Sequence, residues 1–119
     1  MDLEDDDFML EYRAKRIAEM KEASMAHKFN GSVYDITKQD YEWHVNNMPR
    51  GTMGIIHLYQ DYITESAVLK EIFKVLAQKH PTRKWMQIQA TKCVEDYQDV
   101  DVPALLFYKD GKMFDQLTS

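Results

Sequence analysis

The sequence has very little cysteine: Cys93 is the only one among its 119 residues. No disulfide can form within the chain, and dithiol–disulfide exchange within it is chemically impossible. A single thiol favours a reducing compartment. No apolar run approaches the ~20 residues that cross a bilayer, and residues 2–7 are acidic where a secretory signal would be basic. We therefore expect a soluble, cytoplasmic protein with no membrane partner.

An excess of basic residues is also lacking. The net charge of -5 argues against a nucleic-acid surface. The four histidines show no metal-ligand spacing, and neither a glycine-rich phosphate loop nor a Ser/His/Asp signature occurs. The sequence predicts neither metal nor cofactor. The hydrophobic content of 45% and the chain length suit one globular domain.

The chain is organised around residues 54–66. An apolar run enters a polar bend and then an amphipathic helix that begins at Thr64, a pattern typical of a strand–helix unit. In an open α/β sheet, reactive groups lie at the carboxyl end of such a strand. That position is held here by Ile63, Thr64, Glu65 and Ser66, none of which is a strong nucleophile.

Hydrophobic periodicity and turn residues predict the other elements. The predicted helices cover 7–27, 38–47 and a short stretch around 94–97, and a long helix begins at Thr64 and ends before Pro81. Thr37 and Thr64 are the predicted caps of the helix over 38–47 and of the long helix. The predicted strands cover 32–36 at an edge of the sheet, 53–59, 83–89, 104–108 and 113–117. The Asp110–Gly111 pair predicts a type I′ hairpin turn between the last two strands.

Three segments follow from this pattern: an acidic disordered tail over 1–6, a helical arm over 7–27 and an α/β domain over 28–119, with a hinge at 28–31. The arm is rich in strong helix formers, but its apolar stripe is thin. Two readings stay open for the arm. It either lies on the surface of its own domain or docks onto a partner.

The predicted order of elements, a helix and then β-α-β-α-β-α-β-β, resembles the thioredoxin-like fold. That resemblance implies a cis bond between Val102 and Pro103. It also places residues 63–66 at the Cys-x-x-Cys position of thioredoxins, where this chain has no sulfur. His57 falls where thioredoxins keep a buried acid for proton transfer. Without the thiols, we expect His57 to be a hydrogen-bonded core residue with a structural role.

Within that fold, the sequence is similar to the phosducin-like proteins, and most similar to the branch of phosducin-like proteins 2 and 3. The segments that carry this resemblance are Asp6–Met9, Tyr12–Arg16, Glu19–Lys21, Ile55–Tyr59, Leu76–Pro81, Ala90–Cys93 and Val102–Tyr108. They extend over nearly the whole chain.

The resemblance implies a protein-binding module that is not an enzyme. The branch is associated with the cytosolic chaperonin CCT/TRiC and with actin and tubulin folding, whereas phosducin itself binds G-protein βγ subunits. Aromatic and arginine side chains are frequent interface anchors. The candidate contact residues on the arm are Tyr12, Arg13, Arg16 and Met20. The loop at 61–65, beside Pro103, is a second candidate surface. The alternatives are βγ binding and a monothiol oxidoreductase that uses Cys93.

Parts of the family pattern are missing. The resemblance implies a longer N-terminal helical region, a helix after the last strand and an acidic C-terminal tail, none of which this sequence contains. We therefore expect the sequence to be a piece of a longer protein. We also expect one face of the sheet to be left uncovered, and its exposed apolar area to promote association.

Overall fold

The computed structural model describes residues 9–16 and 28–119. Residues 9–16 form a helix, α1, and every one of them is exposed. The predicted acidic tail over 1–6 lies outside the described residues. The rest of the predicted arm also lies outside them, Met20 included.

The remaining elements follow the predicted order closely. They are β1 (Tyr34–Asp35), α2 (Tyr41–Asn46), β2 (Met53–Tyr59), α3 (Thr64–Lys79), β3 (Lys84–Gln89), α4 (Ala90–Cys93), a 3-10 turn (Asp99–Asp101), β4 (Ala104–Lys109) and β5 (Lys112–Thr118). The strands form one sheet in the order β1-β3-β2-β4-β5. β3 runs parallel to β1 and β2, whereas β4 is antiparallel to its neighbours β2 and β5.

β2 is the central strand and is buried on both faces. Ile55 lies on the face covered by α3, where it packs with Phe73 and Trp85. Ile56 lies on the opposite face, in the larger cluster to which α2 contributes Val45 and α4 contributes Ala90. Because successive strand residues point to opposite faces, helices on both sides require β2 to be apolar throughout. This explains the continuous apolar run in the sequence.

The structure corrects the predicted start of α2. The helix begins at Tyr41, and Asp40 is its N-cap residue. Thr37 instead exchanges hydrogen bonds with Asp40: the Thr37 N–H donates to Asp40 Oδ1 (2.6 Å), and the Asp40 N–H donates to Thr37 Oγ1 (3.3 Å). This reciprocal pair closes a turn ahead of the helix, so Thr37 stabilises the approach to α2 and does not cap it.

Two further predictions about helix positions were wrong. The N-cap of α3 is Ile63, and no side chain caps this helix, so Thr64 is its first residue and not its cap. The short helix predicted around 94–97 is α4, which starts directly after β3 at Ala90. Ala90 is fully buried in the larger cluster. The packing of that small residue moves the helical turn toward the end of the strand.

The hairpin between β4 and β5 has the predicted geometry. Asp110 and Gly111 have φ values of 52° and 79°, the two successive positive values that a type I′ turn requires. The Asp110 carboxylate also accepts a hydrogen bond from the Gly51 N–H (2.8 Å), which joins the hairpin to the loop before β2.

One face of the sheet carries exposed apolar side chains beside α3. Phe107 and Tyr108 on β4 pair with Asp115 and Met113 on β5, so Phe114 is the extra residue of a β-bulge. Its ring lies 6.2 Å from the ring of Phe107. Exposed residues on α3 and β5 border this area: Val68, Ile72, Val75, Phe114 and Leu117. Within the described residues no helix follows β5.

Replacement of Phe73 tests which face of α3 contributes to the stability of the fold. Phe73 is almost fully buried, whereas Val75 on the same helix is half exposed. We expect Phe73→Ala to lower the free energy of unfolding by about 3–5 kcal/mol, because it removes core contacts and leaves a cavity. Val75→Ala is the matched control and should change it by no more than about 0.5 kcal/mol. Urea denaturation measures both, and similar losses in the two variants would contradict this packing.

Candidate functional site

The predicted site forms where β2 ends and α3 begins. The chain turns there through a hydrogen bond from the Ile63 N–H to the Gln60 carbonyl (3.1 Å). The Val102–Pro103 bond is cis. Pro103 lines a shallow, mainly apolar groove of about 340 Å³ together with Thr64, Glu65 and three apolar residues of α3. The fold therefore brings Thr64 and Glu65 together with Pro103, although they are far apart in sequence.

The two positions that carry thiols in a Cys-x-x-Cys sequence are Ile63 and Ser66. Ile63 is partly buried and packs against the larger core cluster, and Ser66 is fully buried. The Ser66 Oγ accepts a hydrogen bond from the Gln60 N–H (3.3 Å). Neither position supplies a thiol, and the Ser66 hydroxyl is buried and hydrogen-bonded to the backbone of the strand end.

A buried amide network, which the sequence analysis missed, supports this junction. Gln60 is only 1% exposed. Its Nε2 donates to Thr91 Oγ1 (3.1 Å), and its Oε1 accepts from Gln89 Nε2 (2.8 Å). The network ties the ends of β2 and β3 to α4. The signal available in the sequence was a glutamine placed directly after a buried strand, where an unpaired amide would be costly.

His57 differs from the expectation in one respect. It is a core residue as predicted, with no exposed surface. However, neither ring nitrogen has a hydrogen-bond partner among the described residues, so the expected hydrogen bond is absent. Its neighbours include the rings of Phe73 (5.3 Å between centroids) and Tyr59 (5.8 Å), which present no matching polar atom. Burial, with a smaller contribution from the charge of Lys70, lowers the pKa of His57 from 6.5 to about 4.

The loop of the second candidate surface is tethered at two points. The Lys70 ammonium donates to Asp61 (2.8 Å) and lies 3.6 Å from the centre of the Tyr59 ring. The Tyr62 hydroxyl donates to Asp99 (2.5 Å) in the 3-10 turn, and this bond raises the pKa of Tyr62. Tyr62 itself is 68% exposed. The loop thus presents an aromatic side chain held at its hydroxyl.

Cys93 lies away from the Pro103 groove. It ends α4 and lines a separate depression with Lys38 and Tyr41. Burial raises the pKa of the Cys93 thiol, and the charge of Lys38 only partly opposes that effect. A thiol becomes reactive when its pKa is lowered. The environment of Cys93 therefore acts against the monothiol alternative.

On the arm, the structure places three of the four candidate contact residues. Tyr12, Arg13 and Arg16 are all exposed on α1. Tyr12 and Arg16 are four residues apart, so they lie on one face of the helix. Met20 lies outside the described residues.

Within residues 9–16 and 28–119, no three His, Cys, Asp or Glu side chains are grouped so that they could hold a metal ion. No helix of the same part of the chain combines the length and the hydropathy that crossing a membrane requires.

The pKa of His57 predicts how stability depends on pH. The folded value of about 4 lies below the ordinary 6.5, so protons bind more readily to the unfolded chain between these values. The contribution of neutral His57 is complete above about pH 6.5 and is lost as the pH falls, by about 2 kcal/mol at pH 5. His57→Leu should remove this loss and raise stability at pH 7 by about 1–3 kcal/mol, because it removes two unpaired buried nitrogens. Urea denaturation between pH 7 and pH 5 measures the free energy of unfolding of the natural chain and of the variant. An equal loss of stability with falling pH in the two proteins would show that His57 is not the source of the loss.

The buried thiol predicts slow alkylation. We expect iodoacetamide to modify Cys93 roughly tenfold more slowly at neutral pH than an ordinary peptide thiol, because both its thiolate fraction and its access are reduced. The control is a Cys93→Ser/Ser119→Cys variant, since Ser119 is exposed. A faster reaction at Cys93 than at position 119 would revive the monothiol alternative.

The fold has clear relatives among solved structures. A thioredoxin f2 complex with ferredoxin:thioredoxin reductase superposes with a TM-score of 0.65 at 17% identity, over 75% of this chain and 84% of that one. Fasciola hepatica thioredoxin gives a TM-score of 0.63 at 18% identity, over 71% of this chain and 85% of that one. These similarities confirm the predicted thioredoxin-like fold.

The sequence comparisons give the family. The chain is 34% identical over 116 residues to a phosducin-like protein of Schizosaccharomyces pombe, covering 98% of this chain and 49% of the relative. It is 34% identical over 110 residues to phosducin-like protein 3 of Danio rerio, covering 92% and 46% respectively. The chain thus spans about half the length of these curated relatives. The family model described as Phosducin matches residues 1–119, and the chain therefore belongs to the phosducin family.

Proposed function

We propose that this chain is the protein-binding module of a cytoplasmic co-chaperone. It catalyses no reaction and works with the cytosolic chaperonin CCT/TRiC in the folding of actin and tubulin. The observation that carries the non-catalytic part is the junction of β2 and α3, where Ile63 is partly buried and the Ser66 hydroxyl is bound to the Gln60 N–H. The chaperonin partnership rests on the resemblance to phosducin-like proteins 2 and 3.

The first contact surface in this proposal is the arm. Tyr12 and Arg16 share one face of α1, and Arg13 is adjacent to Tyr12. The aromatic side chain can bury apolar area against a partner, and the two guanidinium groups can pair with carboxylates of that partner. Met20 extends the line of Tyr12 and Arg16 by a further four residues in the sequence, so we include it in this surface.

The second contact surface is the Pro103 groove with the loop at 61–65. The groove has an almost wholly apolar lining. In the loop that leads to the groove, the exposed ring of Tyr62 is held through its hydroxyl by Asp99. Since neither Ile63 nor Ser66 can exchange thiols, a partner segment bound here would be retained by shape and apolar contact alone.

A complex of G-protein βγ subunits is the competing partner. The family model that matches the whole chain is named for phosducin, and phosducin binds βγ. The more similar relatives carry the names of phosducin-like proteins 2 and 3, and this difference favours the chaperonin.

The arm surface is tested in the full-length protein with purified chaperonin. We expect the triple variant Tyr12→Ala/Arg13→Ala/Arg16→Ala to bind roughly tenfold more weakly or worse, because several interface anchors are lost together. Glu11→Ala/Lys15→Ala on the same helix is the matched control and should bind within about twofold of the natural protein. Bio-layer interferometry against immobilised chaperonin measures all three.

A deletion, a groove variant and a binding measurement with βγ subunits distinguish the arm, the groove and the competing partner. Undiminished chaperonin binding after removal of residues 1–27 would disprove the arm model. If Val68→Lys in the Pro103 groove then weakens chaperonin binding, the groove and not the arm is the contact surface. Saturable binding to purified βγ subunits, together with none to chaperonin, would replace the proposed partner by the competing one.

A further inference from the structure

A second cleft lies apart from the Pro103 groove. It has a volume of about 540 Å³ and is found at the carboxyl ends of the parallel strands β1, β3 and β2. Its volume is in the range of sites that bind ligands. The carboxyl ends of parallel strands are also where open α/β sheets usually bind them. Neither the arm nor the Pro103 groove contributes a residue to this cleft.

The cleft has a preorganised floor. This floor is the partly exposed ring of Tyr59, and the Lys70 ammonium lies 3.6 Å from the centre of that ring. Ile36 and Ile88 also line the cleft, but their side chains are buried in the larger core cluster and fix its wall. Side chains fixed in this way lose little conformational freedom when a ligand binds.

The amide side chains at this edge can bind a polypeptide backbone. Gln89 donates its Nε2 hydrogen to buried Gln60 (2.8 Å), which orients the amide. Within the part of the chain that the structure describes, the side-chain oxygen of Gln89 (Oε1) accepts no hydrogen bond. It is therefore available to a ligand N–H, and the exposed amide of Gln39 also lines the cleft.

The rim carries two ammonium groups without carboxylate partners. Lys38 and Lys92 both line the cleft and are exposed. Neither forms an ion pair within the described residues. Lys92 belongs to α4, next to Cys93. The charge of Lys38 opposes the rise in the pKa of the Cys93 thiol, which places the Lys38 ammonium near α4 as well. The one acidic lining residue, Asp35, accepts a hydrogen bond from Gln87 (2.7 Å). The cleft is therefore locally basic in a chain of net charge -5.

We propose that this cleft binds an extended acidic peptide segment of a partner protein. Carboxylates of the segment lie between Lys38 and Lys92, and an apolar side chain rests on the floor of the cleft. Lysine heads are mobile point charges on long stems, which suits a flexible acidic segment better than one rigid anion. The site is independent of the chaperonin proposal, because it involves neither the arm nor the Pro103 groove.

The test uses the 119-residue chain and a fluorescein-labelled octapeptide of four glutamates, two leucines and two glycines. We expect saturable binding by fluorescence anisotropy, and binding roughly tenfold weaker to Lys38→Glu/Lys92→Glu. Lys109→Glu/Lys112→Glu is the matched control with the same change of net charge. These exposed lysines lie beside the start of β2, at the opposite end of the sheet. Binding to this control should stay within about twofold of the natural chain.

Three results would overturn the proposal. They are the absence of saturable binding up to about 1 mM peptide, equal weakening in both charge-reversal variants, and undiminished binding of a peptide with glutamine in place of glutamate. If the charge reversals disturb folding, Lys38→Gln/Lys92→Gln gives the same comparison. NMR shifts of the Ile88 and Gln89 amides, without shifts at Lys109, would place the peptide in the cleft. Since no chaperonin is present, failure here leaves the proposed function untouched.

Discussion

The burial of β2 on both faces is the constraint on which the rest of the structure depends. Its neighbours β3 and β4 pair with it along both edges, and separate hydrophobic clusters cover its two faces. Residues 54–58 of this strand are all buried, so side chains near β2 become accessible only at the ends of the strands. The Pro103 groove and the basic cleft both lie there, and they share no lining residue.

The junction after β2 shows how a thioredoxin-like fold is held together where no Cys-x-x-Cys sequence is present. Gln60 joins Ser66, Gln89 and Thr91 in one hydrogen-bonded network. Both polar atoms of the buried Gln60 side chain are paired, so breaking either bond would leave an unsatisfied buried group. The loop and the start of α3 are thus held by amides and hydroxyls. The phosducin family to which the chain belongs is consistent with a binding role.

His57 is the exception to this pairing. Its imidazole is buried beside Phe73, and neither ring nitrogen has a hydrogen-bond partner among the described residues, although buried polar groups are almost always paired. The position of His57 therefore carries an energetic cost at the centre of β2. Three residues further on, both polar atoms of the Gln60 side chain are hydrogen-bonded.

The sequence by itself determined the order of the elements, the central apolar strand, the Asp110–Gly111 turn and the lack of a second thiol, because each follows from local periodicity, turn stereochemistry or composition. Only the tertiary structure decided that His57 finds no hydrogen-bond partner in the part of the chain that is described, that α4 starts at Ala90, and that Lys38 and Lys92 line one cleft. Those outcomes depend on which side chains the packed sheet brings together from distant parts of the chain, and a local pattern carries no information about such neighbours.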